Sequence, residues 1–163
     1  MKPVEDSAII EDINSWVKHV SSTKTSNGWP ICPYAQNALI NKRLRIFHYN
    51  FIMLDKIVEY FLQDKEPFKV WVFVCDSKLD IAAEAKALNT WYHQTVWLWD
   101  RAQESGEIDG IPTGNGKYDI MLLQDREELQ RMSDGLREKK YYSNWTTDYY
   151  QQIVAWRTNA LKG

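Results

Sequence analysis

The chain has 163 residues, of which 44% are hydrophobic, and its formal net charge is −2. This length allows one domain with a substantial core but not two, while the small negative charge disfavours nucleic acid or an anionic membrane surface as a partner. Two cysteines are too few for a disulfide-stapled secreted domain, and no apolar run is long enough to span a bilayer, so a single cytoplasmic domain over residues 1–163 is predicted.

The first half of the chain predicts helices around two strands. Apolar residues at helical spacing indicate an amphipathic helix over about 6–19 that Asp6 or Ser7 can cap. A polar loop leads to a short helix from Pro33 to about Asn41. Alternating residues over 44–49 then indicate a strand, and 51–62 has the spacing of a crossover helix.

The second half of the chain adds a strong strand, a long helix and a third strand. Residues 68–75 are almost all β-branched or aromatic and predict a central strand that is covered on both faces. A helix is predicted from Asp76 or Ser77 to about Gln103, a loop over 105–117, a strand over 118–123 and a helix over 125–138. The last predicted helix, capped by Asn144 or by Thr146 and Thr147, has Leu161 on its apolar face. This order predicts an α/β domain with a small three-stranded, mostly parallel sheet covered by five to six helices.

The residue that points to chemistry is Cys32. Pro33 suits the first position of a helix because its φ is already helical and its missing N–H would have no partner there. Cys32 is therefore the predicted N-cap, where free N–H groups and the helix dipole favour thiolate and lower the pKa of a cysteine. This position predicts a nucleophilic or redox thiol, and the alternative is a small buried side chain.

Other candidate site residues are assigned around this thiol. Trp29 and Tyr34 are predicted to form walls, and Lys42 or Arg45 to hold an anionic group, although cations at a helix end are also typical of a solvated C-terminus. Cys75 ends the central strand, at the edge where α/β sheets bind ligands. It is either a buried side chain or a second thiol that pairs with Cys32.

Metal and phosphate motifs are absent from the sequence. His19, His48 and His93 lie on three separate predicted elements, without the spacing of a metal site, so no metal is predicted. The glycine-rich loop 110–116 has neither the dinucleotide-binding pattern nor a P-loop lysine. The sequence thus requires no cofactor.

Two resemblances involve the segment Cys32-Pro33-Tyr34-Ala35. It resembles the Cys-Pro-Tyr-Cys motif of glutaredoxins and the start of the active-site helix of cysteine-type glutathione transferases, which implies attack on a disulfide or binding of glutathione. Residues 16–96, approximately, resemble a family of small bacterial proteins of unknown function with a Cys-Pro-Phe-Ala motif. The features that are similar in order are Trp16, this segment, Lys42, Arg45 and the strand that follows. This second resemblance supports the position of Cys32 and implies no activity.

Two hypotheses for function follow. In the first, the Cys32 thiolate exchanges with a small-molecule or protein disulfide, or attacks an electrophilic small molecule, as in a thiol-dependent oxidoreductase or transferase. In the second, the protein is a non-enzymatic adaptor or homodimer whose binding face is formed by some of its eight Trp and nine Tyr residues.

Overall fold

A computed structural model describes residues 1–104 and 106–157 of the chain. The strands are β1 Lys2–Pro3, β2 Leu44–His48, β3 Val70–Val74, β4 Thr95–Asp100, β5 Glu107–Ile108, β6 Ile111–Pro112 and β7 Ile120–Asp125. The α-helices are α1 Ser7–Ser22, α2 Pro33–Ile40, α3 Leu54–Gln63, α4 Ile81–Trp91, α5 Arg126–Glu138 and α6 Thr147–Tyr150. The predicted α/β class is confirmed.

The main sheet has five strands in the order β1-β2-β3-β7-β4. Only β2 and β3 are parallel neighbours, whereas β1 runs antiparallel to β2, and β7 runs antiparallel to both β3 and β4. The prediction of a three-stranded, mostly parallel sheet is therefore wrong in both strand number and direction. The direction differs because β7 pairs with β4, the preceding strand of this sheet, as in a hairpin. The chain reverses between the two strands, so that Thr95 lies opposite Asp125.

Strand β4 lies where the sequence predicts the second half of a long helix. The helix α4 ends at Trp91, and Tyr92 has extended backbone angles. The following residues are β-branched or aromatic, and in a strand they place the Trp97 indole fully inside the core. The Asn89 side chain pairs with both backbone groups of Trp97, at 2.7 and 2.8 Å. The Asn89 amide thus covers backbone groups on the open edge of β4. An edge strand needs such cover because its unpaired N–H and C=O groups would otherwise pair with another chain.

Strand β3 is central, as predicted, and its side chains enter two hydrophobic cores. Trp71 and Phe73 face the core beneath α3 and α4, while Val70 and Val72 face the core beneath α1, α2 and α5. The alternation follows from the two-residue period of a strand. The two faces of the sheet therefore belong to different groups of helices, and this division decides which candidate site residues can meet.

The caps predicted at Asp6 and Thr146 are confirmed, whereas the helix start predicted at Asp76 or Ser77 is wrong, because α4 begins at Ile81 with Asp80 as its N-cap. Asp6 accepts a hydrogen bond from the Ala8 N–H at 2.9 Å, and Thr146 caps α6. The helix predicted over 51–62 begins as a 3₁₀ turn, and α6 continues into a π-helical turn at Gln151–Ala155. Leu161 lies outside the described residues. None of the helices within 1–104 and 106–157 has the length and apolar character needed to cross a bilayer.

Lys42 closes helix α2 in a left-handed conformation. Its φ is +56°, its N–H donates to the Leu39 carbonyl, and the Arg43 N–H donates to the Ala38 carbonyl. This hydrogen-bond pair is a Schellman motif, in which the left-handed position is usually glycine.

Replacing Lys42 with glycine is expected to stabilise the protein. Lys42→Gly removes the steric cost of a Cβ in this conformation and should raise the free energy of unfolding by about 1 kcal/mol. Urea denaturation measures the change. The matched variant is Lys65→Gly, at an exposed loop residue without a positive φ, which should show no gain. Equal effects of the two substitutions would contradict this explanation.

Candidate functional site

Cys32 is the N-cap of α2, as the sequence predicts. Its backbone is extended, Pro33 is the first helical residue, and the sulfur accepts a hydrogen bond from the Ala35 N–H at 3.4 Å. The Cys32 N–H donates to the Val20 carbonyl at 2.7 Å, which ties the start of α2 to the end of α1. The position of the thiol is therefore fixed by two helices.

The Cys32 side chain lines a cavity of about 170 Å³, here called the Cys32 cavity. It lies between one face of the sheet and the helices α1 and α2, and residues 145–153 contribute to its wall. Most of the wall is apolar and comes from Trp16, Val17, Val20, Ile31, Ala35, Ala38, Leu44, Val70, Leu98 and Leu122. A cavity of this character suits a small apolar molecule.

Four polar side chains besides Cys32 also line this cavity. The Asp100 carboxylate accepts hydrogen bonds from the backbone and side-chain nitrogens of Asn115, at 2.7 and 2.5 Å. The hydroxyls of Thr113 and Tyr149 lie 3.2 Å apart. Gln124 is buried, and its side-chain oxygen has no hydrogen-bond partner among the described residues. The cavity thus combines apolar walls with a few groups that can orient a ligand.

The pKa of Cys32 is shifted in the direction opposite to the prediction. Burial raises the pKa of the thiol above its usual value of 9.0, and the N–H groups of Ala35 and Tyr34 lower it by less. The cost of moving a thiolate out of water exceeds the stabilisation by two backbone N–H groups. The prediction of a lowered pKa is therefore wrong, and the resting thiol is protonated at neutral pH. Burial likewise raises the pKa of Asp100.

Neither predicted wall residue borders the Cys32 cavity. The Tyr34 hydroxyl donates to the Glu128 carboxylate at 2.5 Å, which directs this ring toward α5. The Trp29 ring packs edge-on against Tyr141 with 6.1 Å between ring centroids. Both aromatic residues join α2 and its preceding loop to the C-terminal half of the chain.

The two predicted cations do not meet the thiol. Lys42 is exposed and closes α2 as described above. Arg45 is exposed, and its side chain shares a face of β2 with Phe47, whereas its neighbours Leu44 and Ile46 contact the other core, to which Cys32 also belongs. Because adjacent strand residues point to opposite faces, Arg45 lies across the sheet from Cys32.

Cys75 is also separated from Cys32. Both thiols are free and half-buried, but Cys75 packs against the core beneath α3 and α4. Burial raises the pKa of Cys75 to about 12. The structure therefore does not bring the two cysteines to one sheet edge as a resolving pair.

The tryptophan and tyrosine residues do not form one exposed face. All seventeen lie within the described residues, and only Tyr60 and Trp91 are exposed, at 44% and 59%. Most of the others are buried in a core or pack against each other, including the neighbouring rings of Tyr142, Trp145 and Tyr149. Within the described residues, this arrangement gives no support to an aromatic adaptor surface.

The glycine-rich loop contributes little to the site. It forms the hairpin of β5 and β6, with Asp109 and Gly110 both at positive φ in its turn, as two-residue hairpin loops favour. Beyond the hairpin, Thr113 lines the cavity, and its carbonyl accepts a hydrogen bond from the Trp16 indole at 2.9 Å. In the part of the chain that the structure describes, no group of three or more His, Cys, Asp or Glu residues could hold a metal ion.

Sequence reasoning missed the polar residues of the cavity. The sequence predicts a helix up to about Gln103 where Asp100 ends β4, and Gln124 lies just beyond the predicted limit of the last strand. A polar residue that continues the alternation of an apolar strand was the available signal for Gln124.

Comparison with protein-family models, with curated proteins and with solved structures gives no match.

Proposed function

We propose that the protein binds a small, mostly apolar molecule in the Cys32 cavity and that the Cys32 sulfur reacts with it. The observation that supports this proposal is the position of the thiol on the wall of an apolar cavity of about 170 Å³. The reaction is either exchange with a disulfide or addition to an electrophilic carbon. In both reactions the resting thiol first loses its proton, and the thiolate sulfur then forms the new bond.

The raised pKa of Cys32 is consistent with a reaction that follows binding. A protonated, half-buried thiol reacts slowly with reagents in bulk water. A molecule held beside the sulfur gains the advantage of proximity, which compensates for a small thiolate fraction. Asp100 is the carboxylate that lines the same cavity, and burial raises its pKa as well.

The volume of the cavity limits the size of the reactant. Apolar cavities of about 150 Å³ hold a molecule the size of benzene, whereas pockets for drug-sized ligands measure about 300–1,000 Å³. At about 170 Å³, the Cys32 cavity takes only one small group. A tripeptide such as glutathione exceeds it, so the reactant is a smaller electrophile or disulfide. In the proposed cytoplasmic setting both cysteines remain reduced.

Modification by two reagents of different size tests this proposal. Methyl methanethiolsulfonate is small and neutral; its S–S bond breaks as the Cys32 sulfur forms a new S–S bond, and methanesulfinate leaves. The dithiobis-nitrobenzoate reagent is bulky and charged. We expect the ratio of their rates at Cys32 to exceed the ratio in urea-denatured protein by about a hundredfold or more, because only the small reagent enters without local opening.

Peptide mass spectrometry identifies the modified residue, and Cys75→Ser removes the second thiol without changing the cavity. A Cys32→Ser protein shows whether any label arises elsewhere. Equal rate ratios in folded and denatured protein would contradict the proposal, because the thiol would then be as accessible as in an open chain.

A further inference from the structure

A second site lies in a groove between α4 and the C-terminal segment, and Trp99 lines both this groove and the Cys32 cavity. This groove, here called the Arg126 groove, has a volume of about 760 Å³, and its walls include Lys86, Trp99, Arg101, Arg126, Gln152 and Trp156. It is far larger than the Cys32 cavity and can take a whole small molecule.

Arg126 is a buried cation without an acidic partner. The residue is 5% exposed, and no carboxylate of the described residues forms an ion pair with it. Two carbonyl groups, of His93 and Arg157, accept from its terminal nitrogens at 3.4 and 3.3 Å, and its Nε has no partner among the described residues. A buried charge with so few partners is costly, and an anion in the groove would supply the missing ones.

Arg126 borders two openings, the groove and a cleft between α3 and α5, and the surrounding charges favour an anion in the groove. In the groove, Arg101 is paired with Asp80 and Glu104, at 2.9 and 3.2 Å, but exposed Lys86 has no carboxylate partner among the described residues. On the other side of Arg126, the cleft between α3 and α5 is lined by six acidic residues, among them Asp125 and Glu128, and by the cations Lys65, Lys69 and Arg131. Negative charge is in excess in that cleft and positive charge in the groove, so the groove is the more favourable place for an anion.

Two indole rings lie beside the two groove cations that lack a carboxylate partner among the described residues, Lys86 and Arg126. The Lys86 Nζ lies 5.6 Å from the centre of the Trp99 ring, and the Arg126 Cζ lies 5.7 Å from the centre of the Trp156 ring. Half-buried indoles provide flat faces on which a planar ring can stack. The groove therefore combines cations that can bind a negatively charged group with indole faces that can bind an aromatic ring.

We propose that the Arg126 groove binds a small aromatic molecule that carries a phosphate group. Two cations from different elements match a phosphomonoester, which has nearly two negative charges and three acceptor oxygens to share between them. The guanidinium of Arg126 and the ammonium of Lys86 contact the phosphate, and the ring of the ligand stacks on Trp99 or Trp156. Cys32 does not line this groove.

Calorimetric titration of the full chain with adenosine monophosphate tests the proposal. We expect binding that weakens with added salt, and at least about tenfold weaker binding of adenosine and of inorganic phosphate, because each lacks one half of the ligand. Indole-3-acetate provides the carboxylate alternative. Tighter binding of indole-3-acetate would overturn the phosphate assignment, and equal binding of adenosine or no detectable heat with the monophosphate would overturn the site.

Variants locate the binding. Lys86→Gln should weaken the complex about tenfold, since it removes one charge-assisted contact, and Arg126→Gln should weaken it further. Lys78→Gln is the matched control, because Lys78 is exposed and does not line the groove, and it should leave the affinity unchanged. Because Arg126→Gln can also disturb folding, Lys86→Gln decides the test. Unchanged affinity in a folded Lys86→Gln protein would overturn the proposal.

Discussion

Replacing Ala35 with leucine is expected to slow modification of Cys32 by methyl methanethiolsulfonate by about thirtyfold or more. Ala35 lines the Cys32 cavity one helical turn from the thiol. A leucine at this position occupies part of the roughly 170 Å³ that the reagent must enter. Modification then requires a local opening that costs about 2 kcal/mol, and this cost corresponds to the stated factor. Mass spectrometry of the Cys32 peptide measures the rate.

The matched variant for this prediction is Ala83→Leu. Ala83 is exposed on α4, a helix that packs on the opposite face of the sheet from Cys32. The same added carbons should leave the rate at Cys32 unchanged there. Thermal unfolding of both variants confirms that the fold is retained. If Ala35→Leu and wild-type protein react equally fast, the reagent reaches the sulfur by a path other than the cavity.

Local signals in the sequence predict local structure well in this protein. The N-caps Asp6, Cys32 and Thr146 and the central strand all lie where the residues indicate. In each case the determining interactions are between residues close in the chain, such as a cap side chain and the N–H groups two or three positions later. Such interactions are visible in the order of residues alone.

The arrangement of the sheet depends on contacts that the residue pattern does not contain. Residues 88–99 fit a helical stripe, and the competing strand signal of Trp97 and its neighbours is only six residues long. What favours the strand is pairing with β7, more than twenty residues later, and the Asn89 amide at its free edge. The antiparallel direction of β7 also follows from this pairing, since tertiary contacts override intrinsic propensity.

The candidate site shows the same division between local and distant information. The sequence predicts the N-cap position of Cys32 and its helix dipole, but not the cavity that desolvates the sulfur. That cavity is formed by distant residues, including Trp16, Asp100, Gln124 and Tyr149. The alternation of β2 puts Arg45 on the same face as Phe47, but this pattern does not tell against which face of the sheet α2 packs.

The second large effect is the pH dependence of the Cys32 reaction. Only the thiolate attacks, and its fraction rises about tenfold per pH unit below the pKa. Because burial raises the pKa of Cys32 above 9.0, the rate should rise about a hundredfold between pH 7 and pH 9. A thiol governed by the helix dipole would instead have reached its maximum rate at neutral pH.

The rate of Cys32 modification by methyl methanethiolsulfonate, measured from pH 6 to pH 10 in the Cys75→Ser protein, tests most directly whether burial or the helix dipole governs this sulfur. Circular dichroism at each pH verifies that the protein stays folded. If burial dominates, the rate rises steadily through pH 9 without a plateau. A plateau below pH 8 would show a stabilised thiolate and would contradict the account given for the Cys32 cavity.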